Sequence, residues 1–200
     1  APAMRRGASA RNPRSRDRFE AARRTMPGGN TRTVIHYDPF PVAIEKGEGA
    51  RLTDVDGHTY VAMLGEYTAG IYGHSEPVIL DAIREAISHG ITLGGPNRYE
   101  LRLSELMCER FPAVELVRFC NSGSEATLIS VSLARAVTGR DTVLAMNGGY
   151  HGSFLSFPSG PAPLNAPFPV VLADYNDTDG ARRLIQANSG RLACVLLEPM

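Results

Sequence analysis

The chain has 200 residues, 43% of them hydrophobic, which is enough for one good core. Its 21 basic and 21 acidic residues balance, so charge calls for neither nucleic acid nor an anionic membrane as partner. No stretch approaches the roughly 18 consecutive apolar residues of a membrane span, and a soluble, cytoplasmic protein is expected.

Residues 1–14, rich in Arg and small residues, read as a flexible basic arm; a transit segment or a tag remnant before Met4 are the alternatives. Ser15 to Met26 predicts a short helix with Phe19 and Ala22 on one face, ended by Pro27 and two glycines. "PVAIEKGEGARLTDVDGHTYVAML" then reads as an antiparallel meander, with Asp56-Gly57 as a hairpin signal. Asp54 and Asp56 suit a turn better than calcium, because the rest of an EF-hand ligand set is missing.

From here the apolar period changes. "HSEPVILDAIREAISHG" predicts a helix with Ser75 as N-cap and Ile79, Ile83, Ala86 and Ile87 on one face. A second helix fits "NRYELRLSELMCERF", stopped by Pro112. "VELVRFCN" reads as a short strand, followed by a helix from about Ser124 to Val137 with Gly139 just past its end. "DTVLAMNGGYHGSF" is a strand running into a Gly-rich loop, and 157–169 is a Pro-rich surface loop of functional length. "VVLADYND" predicts a strand, "DTDGARRLIQANSG" a helix and "LACVLLEPM" a buried strand. The alternation predicts an α/β fold with a mostly parallel sheet and helices on both faces, after a small helix and meander. The expected division is an arm (1–14), an N-terminal segment (15–74) and the first part of a larger domain (75–200). Cys108, Cys120 and Cys194, odd in number and without metal-ligand spacing, read as buried free thiols.

The turn "NSGSEA" at 121–126 stands between the expected strand and helix. Ligands of parallel α/β sheets sit beyond the carboxyl ends of the strands, where a starting helix offers free N–H groups and a partial positive charge. Gly123 leaves room for an anion, and Ser122 and Ser124 offer hydroxyls, so the turn has the composition of a phosphate cradle. It also suits a plain helix cap. The P-loop and dinucleotide patterns are absent, which leaves a mononucleotide, a sugar phosphate or pyridoxal phosphate. One strand later, "NGGYHG" puts Tyr150 and His151 in a Gly-flanked loop, where an aromatic face can stack on a flat heterocycle. Together the two motifs suit a planar, phosphorylated cofactor.

"NSGSEA", "GGYHG" and "LLEPM", in that order and spacing, resemble the class III aminotransferases, which are pyridoxal 5′-phosphate enzymes of fold type I. "DVDGHTYV" and "GHSEPVILDAI" are similar to the same family, so the resemblance covers nearly everything after residue 15. "PGGNTR" with "GEYTAG" resembles the branch holding β-amino-acid transaminases and glutamate-1-semialdehyde aminomutases, the former more than the latter.

The resemblance implies that Ser122, Gly123 and Ser124 hold the cofactor phosphate, that Tyr150 stacks on the pyridine ring and that His151 packs beside it. It implies that Arg32 binds the substrate carboxylate, a role suited to a planar bidentate donor. Tyr67 would line the pocket, and Glu198 would lie near the substrate or serve the strand end. The implied reaction passes an amino group from a β-amino acid of the β-phenylalanine kind to a 2-oxo acid. The aminomutase is the alternative, and a homodimer is expected.

In this family the Schiff-base lysine and the Asp at the pyridine nitrogen lie downstream of the "EP" motif. The single lysine, Lys46, lies in the meander and reads as a solvated strand residue, so the catalytic lysine is not among these residues. The expectation is that the 200 residues are a portion of a longer enzyme; a truncated chain that only binds ligand or a partner subunit is the other reading.

Overall fold

The computed structural model describes residues 10–31, 36–158 and 160–199. The chain folds as two compact units, Ala1–Gly95 and Pro96–Met200. The arm expected over 1–14 lies mostly outside the described residues, as does Arg32.

In the first unit, helix α1 (Pro13–Ala22) begins on a proline, whose fixed φ and missing N–H suit a first turn. Its N-cap, Asn12, makes no side-chain capping bond. A distant carboxylate caps the helix in its place. Asp56 accepts from the N–H of Arg14 at 2.8 Å and of Ser15 at 3.0 Å, and from the Ser15 hydroxyl at 2.9 Å. Strands β1 (Ile44–Glu48), β2 (Arg51–Asp54) and β3 (Thr59–Val61) form the expected antiparallel meander in that order.

The turn between β2 and β3 is built on buried Asp54. Its carboxylate accepts from the N–H of Asp56 (2.9 Å) and His58 (2.8 Å) and from the Tyr60 hydroxyl (2.7 Å), with the His58 ring Nδ1 at 3.0 Å. Burial raises the Asp54 pKa, but these hydrogen bonds and the His58 charge outweigh it and hold the group at about 2. Of the two acids, Asp54 thus builds the turn and Asp56 ties α1 to it.

Helix α2 (Pro77–Ser88) follows. Its N-cap is Glu76 rather than the expected Ser75, and the Glu76 carboxylate accepts from the Ile79 N–H at 3.0 Å. The Ser75 hydroxyl donates instead to the Gly47 carbonyl, a partner that local sequence does not reveal. Of the apolar face expected here, Ala86 is half-buried, while Ile79, Ile83 and Ile87 are exposed.

In the second unit, α3 (Arg98–Arg110) is capped by Asn97, whose side chain accepts from the N–H of Tyr99 and Glu100. The strand expected over 114–121 does not form. Apolar residues favour a strand only when a partner completes the ladder. Here no described strand pairs with the segment, and Leu116 is left 92% exposed.

The chain then forms α4 (Gly123–Thr138), β4 (Thr142–Met146), β5 (Val170–Ala173), α5 (Thr178–Ala187) and β6 (Leu192–Leu196). The strands make one parallel sheet in the order β5-β4-β6. Every residue of central β4 is buried, Thr142 and the four apolar residues after it, as suits a strand covered on both faces. Val143 and Ala145 pack with Val131 of α4, Leu155 and Phe157 on one face, while Leu144 and Met146 pack with Ala181 and Leu184 of α5 on the other. Helices thus cover both faces. Gly139 ends α4 in the left-handed conformation at φ 66°, which glycine adopts without side-chain strain. Among the described residues the three cysteines are free thiols, half-buried rather than buried.

Candidate functional site

Helix α4 starts by local chemistry. The Ser122 hydroxyl accepts from the Glu125 N–H at 3.2 Å, and the Glu125 carboxylate accepts from the Asn121 N–H at 2.7 Å. This is a variant of the reciprocal capping box, its Ser and Glu three residues apart. The Ala126 N–H bonds the Ser122 carbonyl. The N–H groups of Gly123 and Ser124 have no acceptor among the described residues. A side chain at Gly123 would meet nothing within 4 Å, so the chain is open beside this turn. The helix dipole adds only about 0.3–1 kcal/mol for an anion here, and the hydrogen bonds must supply most of the grip.

The Gly-rich loop after β4 is locked onto that first turn. The Ser124 hydroxyl accepts from the Ser153 N–H at 3.1 Å, and the Thr127 hydroxyl donates to the His151 carbonyl at 2.6 Å. A Cβ on Gly152 would lie 2.6 Å from the Ser124 Cα, so only a bare backbone permits the approach. The structure therefore brings Ser122, Gly123, Ser124, Tyr150 and His151 together at the carboxyl end of β4.

Tyr150 leaves 53% of its surface exposed, and its N–H donates to the Glu198 carboxylate at 3.0 Å. His151 points the other way, 8% exposed, with its ring tilted against Phe157 at 6.4 Å between centroids. Its Nε2 is buried without a hydrogen-bond partner among the described residues. Burial lowers the His151 pKa, and the Glu198 carboxylate opposes that shift more weakly, so the imidazole is neutral near pH 7.

Glu198 follows β6, where it reaches Tyr150 and, through its backbone carbonyl, the Tyr175 hydroxyl at 3.0 Å. Tyr67 belongs to the first unit, half-exposed in a turn over Gly65–Thr68. Glu66, Tyr67 and Thr68 there have φ of 50°, 53° and 76°. Left-handed backbone costs about 1–2 kcal/mol for each residue with a side chain.

Thr127, Gly152 and Tyr175 escape a reading of the sequence. Gly152 had a signal in the Gly flanking "YH", and Thr127 sits one turn into the helix that "NSGSEA" opens. Tyr175 carries none.

At the carboxyl end of this sheet, helix N–H donors without an acceptor among the described residues stand on the turn to which the loop of the exposed Tyr150 is bonded. The model of the class III aminotransferases matches residues 34–160, more than half of the chain, and the chain belongs to that family. It is 49% identical over 189 residues to a β-phenylalanine transaminase of Variovorax paradoxus, which covers 94% of this chain and 44% of that protein. It is 34% identical to a glutamate-1-semialdehyde 2,1-aminomutase of Salinibacter ruber, covering 93% of this chain and 46% of that one.

Among solved structures, the β-phenylalanine aminotransferase of Variovorax paradoxus superposes with a TM-score of 0.94 at 48% identity, covering 98% of this chain and 46% of that one. A transaminase solved with pyridoxal phosphate bound gives a TM-score of 0.86 at 32% identity, covering 94% and 47%. The fold is the fold type I transferase arrangement expected from the sequence. The chain spans a little under half the length of the curated relatives it matches.

Proposed function

We propose that these residues are the cofactor-phosphate and ring-binding part of a pyridoxal 5′-phosphate-dependent transaminase acting on a β-amino acid of the β-phenylalanine kind. One observation carries the reading: two open N–H donors, Gly123 and Ser124, are locked by Ser124 and Thr127 onto the loop that presents Tyr150. The residues fit the cofactor, because the donors suit a phosphate dianion and the half-exposed Tyr150 ring suits a pyridine face.

When bound, that cofactor supplies an electron sink that lets an amino group leave one carbon and join another. The chain's own residues orient it. Gly123 and Ser124 donate to the phosphate, the hydroxyls of Ser122 and Ser124 supplement them, and Tyr150 covers one ring face. His151, neutral and buried, supports that loop from beneath. In this reading Arg32 pairs with the substrate carboxylate and Tyr67 lines the pocket. The protein works as a homodimer in the cytoplasm.

The substrate class rests on the 49% identity to the β-phenylalanine transaminase, against 34% to the aminomutase. The test is an assay of the complete protein with pyridoxal 5′-phosphate. Consumption of β-phenylalanine, with matching appearance of alanine from pyruvate or glutamate from 2-oxoglutarate, is the expected result. Conversion of glutamate 1-semialdehyde without any amino acceptor would instead make it an aminomutase. No cofactor binding at all would leave a chain that serves only as a partner subunit.

A further inference from the structure

We propose that Tyr175 is a positioning residue for the cofactor ring, acting through Glu198 on Tyr150; the proposal rests on the cofactor reading above. Tyr175 lies two residues beyond the end of β5 and Glu198 two residues beyond the end of β6. Those strands are not neighbours, because β4 lies between them. The bond from the Tyr175 hydroxyl to the Glu198 carbonyl, 3.0 Å, therefore reaches across the carboxyl end of β4. It forms a strap over the loop that leaves that strand.

The strap passes close to Gly149. A Cβ built there would lie 3.0 Å from the Met146 carbonyl oxygen, 3.1 Å from His151 Nε2 and 3.4 Å from the Tyr175 hydroxyl. Gly149 is itself buried, so the absence of a side chain is what lets these polar atoms converge beneath Tyr150. From the strap, the Glu198 carboxylate turns back to accept the Tyr150 N–H at 3.0 Å. That bond and the bridge between Tyr150 and Ser156 set the backbone from which the Tyr150 ring projects.

One glutamate thus acts twice, its backbone held by Tyr175 while its side chain holds Tyr150. This assigns Glu198 to aiming the ring-stacking residue, with the Tyr175 hydroxyl as the anchor. If Tyr175 lost its hydroxyl, the Glu198 carbonyl would lose its donor and the carboxylate its fixed position under Tyr150. The phosphate donors of α4 are held by separate bonds and would stay in place.

The test uses the complete protein and two probes, pyridoxamine 5′-phosphate, which carries the ring and forms no covalent link to lysine, and inorganic phosphate. Tyr175→Phe is expected to weaken pyridoxamine 5′-phosphate about 3- to 10-fold, the range for one lost hydrogen bond, and to change the circular dichroism of the bound cofactor. Phosphate affinity should stay within about twofold, and the double variant with Glu198→Ala should bind no more weakly than Glu198→Ala alone, as expected of groups acting in series. Glu198→Gln, which keeps an acceptor oxygen, should retain more affinity than Glu198→Ala. The proposal is overturned if Tyr175→Phe matches the wild type in affinity and dichroism, or if it weakens both probes equally, as a general loss of structure would. Failure of the wild type to bind pyridoxamine 5′-phosphate would overturn the cofactor reading itself, and is told apart by occurring without any substitution.

Discussion

Gly152→Ala tests whether the phosphate cradle and the Tyr150 loop are one device. Gly152 has φ near 99°, a region costing about 1–2 kcal/mol for a residue with a side chain. The new methyl would also lie 2.6 Å from the Ser124 Cα and 2.8 Å from its Cβ, in addition to meeting the Ser124 hydroxyl oxygen. Two of these atoms belong to the stem of a helical residue, so no flexible tip can swing aside. Overpacking of this kind costs about 1–3 kcal/mol.

The sum is about 2–5 kcal/mol, a large share of the roughly 5–15 kcal/mol that holds a domain folded. The assay is urea unfolding followed by circular dichroism, with pyridoxamine 5′-phosphate titrated into the folded variant. The expected result is a lower unfolding midpoint together with weaker binding, because relief of the clash moves the loop off α4. Gly123→Ala is the control: its methyl meets open space, so stability should change by less than about 0.5 kcal/mol while phosphate affinity falls. A Gly152→Ala protein with stability within about 0.5 kcal/mol of wild type and unchanged binding would refute the locked-loop argument.

Three further outcomes are expected. Leu144→Ala, at a fully buried position in the central strand, should cost about 2–5 kcal/mol in the unfolding free energy of the second unit. Ser122→Ala removes the α4 cap and should cost about 1 kcal/mol by the same measurement, with a loss of phosphate affinity beyond it. Asp54 has a native pKa near 2 against an ordinary 3.8, so its stabilising contribution is complete above about pH 4 and is lost as pH falls toward 2. That contribution is on the order of 2 kcal/mol. Urea midpoints measured from pH 5 to pH 2 should fall more steeply for the wild type than for Asp54→Asn.

Much of the second unit was legible from periodicity alone. β4 reads as a buried strand because five consecutive positions with no strongly polar side chain suit a strand covered on both faces, and all five are buried. The start and stop of α4 were close to the observed Gly123 and Thr138, since Ser122, Glu125 and Gly139 act on backbone within a few residues of themselves. The segment 114–121 was misread for the converse reason. Its composition favours a strand, but a strand exists only through its partner, and pairing is not a property of the segment. The cap of α2 shows the same division, because Ser75 was drawn away by the Gly47 carbonyl, 28 positions earlier.

The sequence alone determined that an anion-friendly helix start and a Gly-flanked aromatic follow one another in an α/β pattern, since both are written in contiguous residues. Tertiary structure alone decided that they form one site. The bonds that join them, Thr127 to His151, Ser153 to Ser124 and Tyr150 to Glu198, connect residues 24, 29 and 48 positions apart. The parallel sheet is the physical reason. It gathers the carboxyl ends of β4, β5 and β6 on one edge, and there Glu198 is held by Tyr175 across a strand that separates them.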